Sequence, residues 1–257
     1  MLTRFTAGNG RVEATAEGWR LHLPSSSGYS DAQLDDTQGR VRHRLLHRPP
    51  LQLSLEARAS GATPLGTLGF GFWNDPFPSI GGQAGARRVL PALPQALWFF
   101  HSSPPSDLPF SPAGEGTGWR AASLRSPAWP GAVVAVLGAA AVAGMVLRPL
   151  RRTLIQLGWR IVEGAQSAPI AGQDAWQRYE IDWSKEEARF MVDGRTVLAA
   201  KNPSNGPLGL VLWIDNQWAA FSVARGLQFG IVPNAPEASL EIRGLRLSGK
   251  SIEIAKR

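Results

Sequence analysis

The chain has 257 residues, of which 44% are hydrophobic, 18% are charged and none is cysteine; its formal net charge is +7. The hydrophobic share excludes wholesale disorder. The absence of cysteine excludes a disulfide scaffold, a thiolate nucleophile and cysteine-ligated zinc or iron–sulfur centres. The 23 Arg and 4 Lys residues raise the pI to about 10.7. Such a surface suits acidic partners. Basic residues recur at 40–48, 87–88 and 148–160 without a DNA- or RNA-binding motif beside them, so nucleic acid is not expected; the Arg-rich surface either is simply solvated or meets an anionic membrane surface through 127–165.

The first ten residues, Met1 to Gly10, contain no apolar run. No secretory signal peptide is expected there, and the cytoplasm or the cytoplasmic face of a membrane is the expected location. Tyr29-Ser-Asp-Ala-Gln-Leu-Asp-Asp36 reads as a polar strand end. Its carboxylates, Asp31, Asp35 and Asp36, are the oxygen ligands calcium prefers, but their spacing matches no calcium loop. Leu51–Arg58 alternates apolar and polar residues, the period of a half-buried strand. Gly66–Trp73 is a glycine-interleaved aromatic strand, and its glycines suit close packing within a sheet. Trp73-Asn-Asp-Pro then offers an indole face for a sugar ring, with the Asn74 amide and Asp75 carboxylate for its hydroxyls. The same Asn-Asp-Pro also reads as an ordinary turn. Ala96–His101 is a bulky β-prone run in which Trp98 and His101 face opposite sides.

Residues 127–147 carry no charge over 21 positions and are rich in Ala, which predicts a helix. Its length is about that of a bilayer crossing. After Arg148-Pro149, Leu150, Leu154, Leu157 and Ile161 recur at helical spacing among Arg151, Arg152, Gln156 and Arg160, predicting a basic amphipathic helix over 150–164. Strand patterns flank this pair of helices on both sides. Residues 1–126 and 166–257 are therefore expected to form one β-sandwich, interrupted by a helical hairpin over 127–165. A single crossing would divide that sandwich between two compartments, so 127–165 is expected to lie on a membrane surface, to enter it and return, or to pack on protein.

Further strands are predicted over 179–183, 188–192, 208–214 and 227–231, followed by a last one over 240–247 that returns to the core. The run 208–214 is apolar throughout, as for a strand covered on both faces. The pattern is that of an all-β sandwich.

The stretch from Trp176 to Val197 contains W-x-x-Y-x-I-x-W, a short loop at Ser184–Glu187, and F-x-V-D-G-x-x-V. It resembles the concanavalin A-like lectin and glucanase superfamily, nearest to glycoside hydrolase family sixteen, the laminarinase- and lichenase-like group. The resemblance implies a jelly roll of two curved antiparallel sheets whose concave face holds ligand. It also implies a catalytic E-x-D-x-E strand with a nucleophile and a general acid/base. Here Glu180 and Asp182 are followed by Ser184, and the intact triplet is missing. The expected function is thus a non-catalytic module binding a glycan or an amphiphilic small molecule, peripheral to a membrane. The alternative is a divergent glycoside hydrolase acting on a β-glucan-like polysaccharide, with Asp75, Asp182 and Asp215 as candidate carboxylates from separate strands. The candidate ligand-binding residues are Trp73, Asn74, Asp75, Trp98, His101, Trp213 and Asp215. No phosphate-binding loop, dinucleotide fingerprint or metal-binding motif occurs in the chain, and no cofactor or metal is expected.

Overall fold

A computed structural model describes residues 2–60, 65–77, 86, 90–232, 236–248 and 250–251. Before the helices run β1 (Thr3–Ala7), β2 (Arg11–Ala14), β3 (Gly18–Leu23), β4 (Asp31–Asp35), β5 (Leu51–Ser60), β6 (Thr67–Trp73), β7 (Ala96–Ser102) and β8 (Gly118–Arg125). Two helices follow, α1 (Gly131–Met145) and α2 (Arg148–Ile161). The chain then forms β9 (Glu163–Gln166), β10 (Gln177–Trp183), β11 (Glu187–Val192), β12 (Arg195–Lys201) and β13 (Gly209–Asp215). It ends with β14 (Gln217–Ser222), β15 (Gly226–Ile231), β16 (Ala238–Leu247) and β17 (Lys250–Ser251).

The strands form two antiparallel sheets and one hairpin. The first sheet has the order β1-β4-β13-β6-β7-β8-β9, the second β12-β11-β10-β5-β16-β3-β2 with β17 on β16, and β14 and β15 form a separate two-stranded sheet whose β14 also bridges Asp107 through Ala220. Strands from before and after the helices alternate in both: β13 lies between β4 and β6, and β5 between β10 and β16. Neither stretch can close a sheet without the other. The strand expected to return to the core does so, with β16 pairing β5 on one side and β3 on the other.

Strand alternation builds the core. On β5, Leu53, Leu55, Ala57 and Ala59 point inward; on β10, Tyr179, Ile181 and Trp183 do. They meet Leu68, Phe70 and Phe72 of β6 and Leu97 and Phe99 of β7 from the facing sheet. Ring contacts among Phe70, Phe99, Trp119 and Tyr179, mostly edge-on, fill the middle at centroid distances of 4.9–6.3 Å. Asp193 at φ 49 and Gly194 at φ 77 make the tight turn between β11 and β12.

The first sheet is covered on its outer side too. Ala96, Trp98, Phe100, Phe110, Ala122, Leu124, Val211 and Trp213 form a second apolar cluster, closed by Leu108 and by Trp159 and Val162 at the end of α2. This explains the unbroken apolar run of β13. Leu210, Leu212 and Ile214 enter the sandwich core, while Val211 and Trp213 enter the second cluster.

α2 differs from its sequence pattern in two respects. It ends at Ile161, and residues 163–166 become the edge strand β9. The apolar stripe predicted at Leu150, Leu154, Leu157 and Ile161 is not the buried one. Ile155, Trp159 and Val162 pack on the protein, and Leu150 and Leu157 remain 45% and 50% exposed. The aromatic cluster of the sheet, rather than the helix's own strongest apolar stripe, determines the seating.

Candidate functional site

The candidate site is the outer face of the first sheet. Its cross-strand register sets outward residues in rows. Asp31, Asp215, Thr67 and Ser102 form one row, and Gln33, Trp213, Gly69, Phe100 and Arg120 the next. Asp35, Val211, Gly71, Trp98 and Ala122 follow, then Gly209, Trp73, Ala96 and Leu124.

The glycines of β6 make room for the tryptophans beside them. A Cβ added at Gly69 would lie 2.7 Å from the Trp213 ring, and one at Gly71 2.8 Å from the Trp98 Cβ. Trp98 is the hub of the cluster, with centroids of Phe100, Phe110, Trp213 and Trp73 at 5.2, 5.6, 5.7 and 5.9 Å. The face is largely sealed: Trp98 is 9% exposed and Trp213 8%, whereas Trp73 is half-buried at the rim. Trp213 donates its indole N–H to Thr67 Oγ1 at 3.0 Å. The indole N–H groups of Trp73 and Trp98 meet no acceptor among the described residues.

Arg120 holds part of this seal. It is fully buried on the outer face, and burial lowers its pKa to about 10, still charged at neutral pH. Its guanidinium donates to the carbonyls of Glu115 and Thr117 and to Ser102 Oγ, and lies 5.4 Å from the Phe110 ring centroid. It thereby ties down the 108–117 loop that places Phe110 over Trp98. The sequence offers only a faint signal of this: one Arg inside Gly118-Trp-Arg-Ala-Ala-Ser, where small residues mask the alternation.

The expected site residues separate into several places. Trp73, Trp98 and Trp213 come together. Asn74 is occupied in the turn, donating to Leu93 O at 2.8 Å and accepting from Gln95 N at 3.0 Å. Asp75 is fully buried at φ 50, with its carboxylate accepting from Ala86 N and its carbonyl from Arg42 Nε. The turn reading of Asn-Asp-Pro is therefore the structural one for these two side chains. His101 is 4% exposed and points into the sandwich, with Leu68 and Trp119 as cross-strand neighbours. Asp182 is exposed on the outer face of the other sheet, across from Gln52 and Arg189. Asp75, Asp182 and Asp215 consequently do not share a groove, because alternation along β10 turns Asp182 away from the first sheet.

Asp215 has a different carboxylate beside it. Asp31 on β4 is its direct cross-strand partner. Tyr29 donates to Asp31 Oδ2 at 3.1 Å, while Asp31 Oδ1 has no partner among the described residues. Asp215 Oδ1 accepts from Thr67 Oγ1 at 2.9 Å and Gln217 N at 3.0 Å. Desolvation pushes Asp215 up to about 7, and desolvation followed by the charge of Asp215 raises Asp31 well above the carboxylate range. Asp31 belongs to the segment read as a polar strand end, but it lies in an interior strand of the sheet. The other two acidic residues of that segment are held locally. Asp35 accepts from Thr37, Gln38 and Gln33, and Asp36 binds His47 Nε2 at 2.5 Å and Leu210 N at 2.9 Å. Among the described residues no group of three or more His, Asp or Glu is placed to hold a metal.

An open groove adjoins this face. It has a volume near 370 Å³ and lies between the end of β8 and α2, lined by Arg125, Trp129, Arg160 and Glu163.

No family model and no curated protein matches the sequence. Solved structures do resemble it. The legume lectin-like domain from Entamoeba histolytica aligns with a TM-score of 0.50 at 8% identity, covering 96% of this chain and 90% of that one. The carbohydrate recognition domain of Emp47p gives 0.48 at 14% identity, covering 95% and 87%. LamAcat from Zobellia galactanivorans gives 0.46 at 13%, covering 89% and 76%. The protein has the fold of a lectin-like, concanavalin A-like β-sandwich.

Proposed function

We propose that the protein is a non-catalytic carbohydrate-binding β-sandwich held at an anionic membrane surface through residues 127–165. The observation carrying the first part is the Trp73 indole, half-buried at the rim of the outer face of the first sheet with its ring centroid 5.9 Å from that of Trp98. A ligand with an apolar face and hydroxyl oxygens, a glycan or a comparable amphiphile, would stack on the reachable side of Trp73. The carbohydrate recognition and lectin-like domains among the structural neighbours are consistent with that ligand class. The membrane part rests on α1, which is uncharged and mostly exposed. Among the described residues no helix is long and apolar enough to cross a membrane. α1 at about 1.5 Å per residue reaches only ~22 Å, which suits an interfacial position.

The test is a glycan array followed by titration calorimetry on the best ligand, with Trp73→Ala as the diagnostic variant. Its affinity should fall by roughly 10-fold or more. A blank array, or equal binding by Trp73→Ala, removes the reading.

A second reading is favoured by the Asp31–Asp215 pair: a divergent hydrolase related to glycoside hydrolase family sixteen. Two neighbouring carboxylates with raised pKa are the elements of acid/base work on a glycoside. Release of reducing sugar from a β-glucan by the intact chain, abolished in Asp215→Asn, would select this reading over the first.

A further inference from the structure

We infer that the β14–β15 hairpin and the outer side of α1–α2 form a single face that binds anionic lipid, with Phe229 as its principal anchor. This rests on the membrane reading of residues 127–165 and extends it to a segment more than 50 residues further along the chain.

α1 buries only Val134 and Met145, and presents Val133, Val136, Leu137 and Val142 to solvent. Leu147, Leu150 and Leu157 continue the exposed apolar surface through the link into α2. The hairpin adds Leu227, Ile231 and Phe229, the last 78% exposed. Exposed large apolar side chains at this density mark a binding surface rather than ordinary solvent contact. The two segments are joined. Arg151 of α2 donates to Met145 O at 2.8 Å and to Ala224 O, at the hairpin tip, at 2.9 Å. α1 also packs against β15.

Charge selects the occupant. Residues 126–162 contain four Arg and no Asp or Glu, and residues 216–236 contain Arg225 and no Asp or Glu. Arg148, Arg152 and Arg160 are exposed along α2. Apolar side chains bordered by guanidinium groups, with no acid in either segment, complement a negatively charged bilayer interface.

The experiment is sedimentation of the full chain with vesicles of phosphatidylcholine alone or mixed with phosphatidylglycerol. Binding is expected only with phosphatidylglycerol, and it should weaken toward ~1 M salt, where the screening length is about 3 Å. Phe229→Ser should weaken partitioning by roughly 10-fold or more, as should the double variant Val136→Ser with Leu137→Ser. Phe229→Leu should recover most of the binding. All of these positions are exposed, so the fold is kept. Loss in the α1 variant with Phe229→Ser unchanged overturns the joint face and leaves the helical attachment standing. Absence of binding to either vesicle overturns both. A dimer in light scattering that Phe229→Ser converts to monomer, without vesicle binding, assigns the face to a second copy and also overturns the proposal.

Discussion

Asp215 faces Asp31 directly across the β13–β4 ladder, and burial holds the Asp215 carboxyl protonated up to about pH 7. Like charges opposite each other in a sheet are unfavourable, so the protonated pair is the comfortable state. In the unfolded chain the carboxyl ionises near 3.8. Between that value and about 7 the folded state holds more protons, so stability falls as pH rises through this window and levels off above it. The melting temperature should drop between pH 5 and 7.5, with other titrating groups removed by subtraction against Asp215→Asn. That variant keeps an acceptor oxygen for Thr67 and Gln217, and at pH 7.5 should melt ~2–4 °C higher for each kcal/mol of relieved desolvation. Equal pH slopes in the two proteins would count against a strained pair.

Arg120 and Phe110 make the second testable relationship. Arg120 satisfies carbonyls of the 108–117 loop from a fully buried position. Replacement by Met keeps much of the volume and leaves those carbonyls unmet. A loss of about 2–4 kcal/mol is expected in urea unfolding, together with increased acrylamide quenching of tryptophan as Phe110 lifts from Trp98. Wild-type quenching in Arg120→Met would show that the loop holds itself in place.

The strands with strong alternation were legible from the sequence: β5, β10, β11 and β16 carry apolar residues on one side and charge on the other. Both helices were legible too, from an uncharged Ala-rich run and a basic amphipathic one. β4 was hidden because its outward residues Asp31, Gln33 and Asp35 are buried, in defiance of their polarity. Their partners, Tyr29, Thr37 and Gln38, come from flanking turns that periodicity does not register. β8 was hidden by small residues around Arg120. At the site, the three tryptophans were legible as a group because β6, β7 and β13 each present one outward. Their closure was not, since Phe110 and Trp159 arrive from a loop and from a helix whose own pattern pointed elsewhere.

Gly71 is where the sheet has least tolerance. It sits at φ 145, and a Cβ there would lie 2.3 Å from Leu97 O and 2.6 Å from Trp98 Cα. Neither contact is the end of a flexible side chain. Gly71→Ala should cost about 3 kcal/mol or more through strain in the β6–β7 ladder, seen as a lowered urea midpoint with near-ultraviolet dichroism of the tryptophans altered. Gly138→Ala, at an exposed helical position with nothing within 4 Å of the added Cβ, should instead stabilise α1 slightly. A small effect at Gly71 would mean that the sheet yields more than its packing implies.

Trp159 seats α2 on the sheet, packing against Gly164 of β9 so closely that a Cβ on that glycine would come within 2.7 Å of its ring. The helix makes few other buried contacts, Ile155 being its one buried residue. Trp159→Ala should therefore release α2 locally rather than unfold the sandwich, whose core lies on the other side of the sheet. Hydrogen exchange should rise across 148–161 by roughly 100-fold, the effect of losing about 3 kcal/mol of local burial, while exchange in β5 and β10 stays at the wild-type level. Because Trp159 also helps close the second cluster, the same variant should expose Trp98 and strengthen binding of an apolar dye. Uniform acceleration throughout the chain would instead make the helix an integral part of the cooperative core.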